Sequence, residues 1–178
     1  MLQLNQMTES PVVEQLNWYA IRTRSRHEKK VAEEILNKGI PSFLPIITRL
    51  HNWSDRKKEV QLPLFPGYVF VQILPEPENR LSVLRTFGVA GFVGSQGHGT
   101  PIPSKQIEDI RLIVESNAPF EAYPFLQVND RVRIRGGALD GVEGVLVAKN
   151  ADQSLVVSIE LIQRAVLVRV TGYELEKV

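Results

Sequence analysis

The sequence predicts an α+β fold: an antiparallel sheet flanked by helices, followed by a small all-β barrel of five strands. Three observations carry this. Up to about residue 116, two-residue and 3.6-residue hydrophobic spacing follow one another in the order strand, helix, three strands, helix, strand, helix. The pattern then lapses over residues 117–126, where Pro119 and Pro124 bracket a stretch without periodicity. Beyond it, the apolar runs are short, rich in β-branched residues and separated by turn formers.

The elements follow in order. Residues 1–15 are polar and aperiodic and read as a flexible tail. Leu16 to Thr23, with Trp18, Tyr19 and Ile21, reads as a strand, and Ser25-Arg26-His27-Glu28 has the Ser-x-x-Glu spacing of a capping box. The helix behind it places Val31, Ala32, Ile35 and Leu36 on one stripe and stops at Gly39 and Pro41. Three strands are predicted at 42–49, 58–64 and 68–74, with a polar hairpin tip at 53–58, and the run Tyr68-Val69-Phe70-Val71 suits a central strand. A short helix over 78–85 carries Leu81 and Leu84, a strand covers 91–93, and Ser104 opens a helix with Ile107, Ile110, Ile113 and Val114 on one side. The first domain is thus 16–116, the linker 117–126 and the barrel 127–178, with strands at 132–135, 142–149, 155–160, 165–170 and 173–176.

Composition narrows the chemistry. A chain of 178 residues with 43% hydrophobic content can bury a core in one full domain or two small ones. Lys+Arg 21 against Asp+Glu 20 leaves no global field, so any nucleic-acid binding has to be local. There is no cysteine, hence no disulfide and no thiolate metal site, which fits a reducing cytoplasm. The N-terminus lacks the signature of a signal peptide, and Leu62 to Leu74 is too short and proline-broken to span a bilayer, so no membrane association is expected.

Catalytic templates fit poorly. His27, His51 and His98 are isolated, so neither a metal site nor a cofactor is expected. Residues 94–99 are glycine-rich but lack the Gly-Lys-Ser/Thr of a phosphate loop and read as a turn. With no nucleophile elbow and no distinguished carboxylate pair, no catalytic residue is assigned.

Two features remain. Arg22, Arg24, Arg26, Lys29 and Lys30 against Glu28 give a net charge of +4 over residues 22–30, and Arg49, Arg56, Lys57 and Lys58 against Asp55 give +3 over 49–58. Such groups make salt-dependent phosphate contacts, or else form a solvated helix face with Lys29–Glu33 and Lys30–Glu34 pairs. Trp18-Tyr19 and Leu64-Phe65-Pro66-Gly67-Tyr68 either fill the core or line a groove for a partner's helix.

Several of these motifs together resemble one family. Residues 18–24 with the Glu28-Lys29-Lys30-Val31 helix, then Phe65-Pro66-Gly67-Tyr68-Val69-Phe70-Val71, then residues 88–94 resemble the N-terminal domain of the bacterial NusG family of transcription elongation factors. Residues 128–134 and 141–145 resemble the KOW motif of its C-terminal barrel, so the resemblance covers about 16–178. It implies a cytoplasmic, monomeric, non-catalytic factor that binds the clamp helices of RNA polymerase and suppresses pausing or termination. The matching polymerase-binding positions are Trp18, Tyr19, Phe65, Pro66, Gly67 and Tyr68, with Phe92 as a floor, which favours the groove reading. Arg22, Arg24, Arg26, Lys29 and Lys30 then face upstream or non-template DNA.

In this family an apolar loop of the barrel docks the termination factor Rho or a ribosomal protein; here the candidates are Leu161, Ile162 and Arg164. General members carry aromatic–Gly–Arg–Ala–Thr–Pro there, whereas this chain has Ile162-Gln163-Arg164-Ala165-Val166-Leu167. That departure speaks against Rho and points to an operon-specific antiterminator of the RfaH type. The alternatives are a housekeeping NusG acting with Rho and the ribosome, and a ribosomal or RNA-binding KOW protein. The β-branched runs after Val132 favour a barrel that stays β rather than one that switches to helix.

Overall fold

The computed structural model describes residues 15–52, 57–116, 118–123, 131–149, 152–170 and 172–178. The first unit begins with β1 (Asn17–Thr23), α1 (Glu28–Asn37), β2 (Ser42–Phe43), β3 (Ile46–Asn52) and β4 (Lys57–Pro63). It continues with β5 (Tyr68–Ile73), α2 (Pro77–Leu84), β6 (Val89–Phe92) and α3 (Ser104–Glu115). Its main sheet has the order β2-β5-β1-β6, and every pairing in it is antiparallel. β3 and β4 form a separate two-stranded ribbon. The strand expected over 42–49 is thus divided in two, because Pro45 lacks the N–H that a continuous ladder needs. The tip at 53–56 lies outside the described residues.

Burial on both faces explains the near-continuous apolar runs of β1 and β5. Tyr19 and Ile21 of β1 with Val69, Val71 and Ile73 of β5 pack with Val31 and Ile35 of α1 and Val83 of α2. Trp18, Ala20 and Phe70 belong to a second cluster that includes Ile107, Ile110 and Ile113 of α3. Alternate residues therefore serve two helical layers, which places the two central strands in a three-layer core. α1 closes as its glycine foretells: Gly39 has φ +78, its N–H donates to the Leu36 carbonyl, and the Ile40 N–H donates to the Ile35 carbonyl. Its stripe is narrower than expected, since Leu36 is exposed. Leu81 and Leu84 of α2 are exposed as well, and Val83 is the buried residue of that helix.

The capping box does not form. His27 occupies the N-cap without a side-chain hydrogen bond, Arg26 takes a left-handed φ of +62, and the Glu28 carboxylate is turned inward. Glu28 instead accepts a hydrogen bond from the Gly67 N–H at 2.8 Å, a buried contact across the fold that outcompetes the local one.

The second unit holds β8 (Arg131–Arg135), β9 (Glu143–Lys149), β10 (Asp152–Ile159), β11 (Arg164–Arg169) and β12 (Glu174–Lys177), matching the five expected strands. A further strand, β7 (Phe120–Tyr123), lies within the segment read as linker and pairs with β11, giving the sheet order β12-β8-β9-β10-β11-β7. Gly144 is dictated by packing: a Cβ there would lie 2.3 Å from the Val156 carbonyl oxygen of the neighbouring strand. Among the described residues, no helix is long and apolar enough to cross a membrane.

Candidate nucleic-acid and protein interface

The two sets of residues singled out by sequence meet at one end of the main sheet. In the β1–β5 ladder Arg22 lies opposite Tyr68, so the first cation of the basic run and the Phe65–Tyr68 turn are cross-strand neighbours. The turn is held from both sides. The Thr23 N–H donates to the Gly67 carbonyl at 2.9 Å, and the Gly67 N–H donates to Glu28. Gly67 adopts φ +85, where other residues are strained, and the Tyr68 N–H closes the turn on the Phe65 carbonyl.

The seven residues of the expected protein-binding surface separate into two groups. Pro66 is exposed, and Gly67 and Tyr68 are half-buried. Trp18, Tyr19, Phe65 and Phe92 are buried. Phe65 packs edge-on against Phe70 and Tyr19 edge-on against Phe92, each pair with ring centroids about 6 Å apart. For these four side chains the core-filling reading describes this conformation, with Trp18 and Phe65 in one core cluster and Tyr19 and Phe92 in the other. Beside Leu64 an open cleft of about 270 Å³ is lined by Ile46 and Ile47 of β3, Val114 of α3, and Phe120 of β7.

The basic run is exposed. Arg22, Arg24, Arg26, Lys29 and Lys30 all face solvent, whereas Glu28, the acid among them, is buried with its carboxylate committed to Gly67. Among the described residues no ion pair involves any of the five, and the Lys29–Glu33 and Lys30–Glu34 pairs are not formed; Glu34 instead meets Lys38 at 4.0 Å. The edge therefore carries uncompensated positive charge beside a helix N-terminus, which suits phosphate. Of the second basic run, Arg49 is exposed and Arg56 lies outside the described residues.

On the barrel, Leu161 is half-buried, Ile162 is buried in the core, and Arg164 is exposed. Gln163 adopts a left-handed conformation with φ +49 and ψ +49, so the loop keeps the backbone that glycine would favour while carrying a side chain. The apolar patch is therefore smaller than the sequence suggests.

This loop faces α3 of the first unit. The Glu160 N–H donates to Gln106 Oε1 at 3.3 Å, Lys105 Nζ donates to the Gly141 carbonyl at 2.7 Å, and the Glu143 N–H donates to Asp109 Oδ2 at 3.4 Å. The buried apolar side chains of the two units form one continuous cluster, so the barrel is docked on α3. Burial pushes the Asp109 carboxyl above the usual carboxylate range even though Lys105 donates to it and attracts its charge. Glu143 is held low by its hydrogen bonds from Arg133 on the neighbouring strand.

Sequence reasoning missed Lys105, Gln106 and Asp109, because their pattern is that of any polar helix face; an acid next to Ile110 was the available hint. It also missed Phe87, an aromatic preceding the turn glycine Gly88. Phe87 is exposed and flanked by Arg24 and Lys30.

Residues 16–111 match the family model described as "Transcription termination factor nusG". Over 176 residues the chain is 30% identical to the transcription termination/antitermination protein NusG of Lactococcus lactis, covering 90% of this chain and 92% of that protein. It is equally 30% identical to the NusG of Staphylococcus epidermidis over 173 residues, covering 90% and 94%. A solved structure described as "Domain interaction in Thermotoga maritima NusG" aligns with a TM-score of 0.51 and 25% identity, covering 92% of this chain and 98% of that one. The fold, the motifs and the near-full-length alignments agree: this chain belongs to the NusG family, a family of transcription factors rather than enzymes.

Proposed function

We propose that this protein is a transcription elongation factor of the bacterial cytoplasm that binds RNA polymerase and suppresses pausing or termination, acting as an operon-specific antiterminator. The observation that carries the reading is the meeting, at one sheet end, of a pinned Phe65–Tyr68 turn and five exposed cations without an acidic partner among the described residues. In this reading the first domain, 16–116, seats Pro66 and Tyr68 against the polymerase clamp helices, with Trp18, Tyr19, Phe65 and Phe92 shaping that surface from the core. Arg22, Arg24, Arg26, Lys29 and Lys30 contact phosphates of upstream or non-template DNA. A factor that holds both the clamp and the DNA has higher affinity for the closed polymerase, and only such a difference shifts the enzyme away from paused states.

The barrel, 127–178, docks a further partner, a ribosomal protein, through Leu161 and Arg164, with the buried Ile162 supporting that loop from the core. A housekeeping role with Rho is the second reading, favoured by the general NusG proteins among the relatives. A stable complex of Rho with the full chain would establish it over the operon-specific one.

The test is a titration of the wild type and a Pro66→Ala, Tyr68→Ala variant against a purified bacterial elongation complex at two salt concentrations. Pro66 is exposed and Tyr68 is half-buried at the margin of the core, so circular dichroism checks that the variant remains folded. Tight wild-type binding that the variant loses supports the reading, and equal binding by both overturns it.

A further inference from the structure

We infer that Phe87, framed by Arg24 and Lys30, is a stacking platform for an unpaired nucleotide, so that the basic edge takes single-stranded rather than duplex nucleic acid. This rests on the nucleic-acid reading of that edge. Phe87 is 55% exposed, whereas Trp18, Tyr19, Phe70 and Phe92 of the main sheet are buried. The guanidinium carbon of Arg24 lies 5.4 Å from its ring centroid and the Lys30 ammonium 5.3 Å. The imidazole of His27 meets the ring at a steep angle with centroids 5.6 Å apart.

The turn that carries the ring is fixed by backbone hydrogen bonds. The Arg24 N–H donates to the Gly88 carbonyl at 2.8 Å, and the Val89 N–H donates to the Thr86 carbonyl at 3.1 Å. Gly88 has φ +97, and a Cβ there would come within 3.0 Å of Val31 and 3.1 Å of His27, so this turn lies flat against the start of α1. A preorganised π surface between two cations matches the chemistry of a nucleotide: the base stacks on the ring, and the cations take the adjacent phosphates. In a duplex the base faces are stacked on each other, so a duplex engages the cations but not the ring.

The experiment uses the full chain and fluorescence anisotropy with labelled ten-nucleotide oligo-dT, the matching ribo-oligomer and a duplex of equal length, each at several salt concentrations. The variants are Phe87→Ala, Phe87→Tyr and the pair Arg24→Gln, Lys30→Gln, all at exposed positions, with circular dichroism as the check on folding. Wild type is expected to prefer single strands. Phe87→Ala should weaken single-strand binding roughly five- to a hundredfold, leaving duplex binding and the salt slope unchanged, and Phe87→Tyr should restore it. The paired variant should instead flatten the salt slope by about 1.4, at roughly 0.7 for each lost phosphate contact on a single strand. Preference for the deoxy- or the ribo-oligomer assigns the strand to DNA or transcript, and either supports the platform. Salt-dependent binding that the paired variant weakens and Phe87→Ala does not overturns the platform while sparing the basic edge. Absence of binding to every probe overturns both.

Discussion

Glu28 is the residue on which the sheet end depends, and replacing it should show that. Its carboxylate is buried, accepts from the Gly67 N–H at 2.8 Å and sits in the first turn of α1. Glu28→Ala strands a part-buried N–H, which costs about 1–3 kcal/mol, and removes a favourable helix-dipole charge worth about 0.3–1 kcal/mol. The sum is about 1.3–4 kcal/mol. For a unit of roughly a hundred residues, each kcal/mol lowers Tm by about 4–8 °C, so a fall of about 5 °C or more is expected. Glu28→Gln keeps an acceptor oxygen and should lose roughly half as much. Urea titration followed by tryptophan fluorescence measures both, since Trp18 is buried in the first unit. The same variants should bind the elongation complex less tightly under conditions where they remain folded, because Gly67 positions Pro66 and Tyr68. A loss below about 0.5 kcal/mol for Glu28→Ala would refute the claim that this contact holds the turn.

Three further predictions concern the second unit and its docking on α3. Burial in the docked form raises the Asp109 carboxyl above its ordinary value, so docking takes up protons: it should tighten as pH falls from neutral toward about 4 and loosen as pH rises. Asp109→Asn should flatten that dependence in a distance measurement between labels on the two units. The Glu143 carboxyl is lowered by Arg133 within the barrel, so its contribution to barrel stability is present above its ordinary value of 4.5 and is lost as pH falls through the lowered one. At Gln163, where φ is +49, Gln163→Gly should stabilise the barrel by about 0.5–1 kcal/mol in thermal denaturation, since a side chain in that conformation is strained. A destabilised variant would show that the Gln163 side chain makes a compensating contact.

Much of this architecture is legible in periodicity alone. β1 and β5 announce themselves as unbroken apolar runs because each is covered on both faces, and α3 announces itself through Ile107, Ile110 and Ile113. Local signals misled where a distant partner was stronger: Ser25 and Glu28 have the spacing of a capping box, yet Glu28 serves Gly67 in the turn that leads into β5. Leu81 and Leu84 looked like core and are surface, because a short helix buries only the residue facing the sheet, here Val83. The site was legible in part. Charge clustering located the exposed cations, but no pattern in one sequence separates an aromatic that lines a surface from one beneath it, so Phe65 and Pro66 stand side by side with opposite exposure. The α3–barrel contact was invisible because its three hydrogen bonds use ordinary polar residues and backbone groups.

The strand at 120–123 has a consequence for how tightly that contact is kept. With β7 fastened to β11, only residues 116–119 separate α3 from the barrel sheet, a tether of at most about 14 Å when extended. A barrel released from α3 therefore stays within a small volume around it, at an effective concentration in the millimolar range. Redocking is then independent of how much protein the cell contains. Any free partner competing for the Glu160–Arg164 loop has to overcome that local concentration, either through high affinity or by arriving already bound to the same complex.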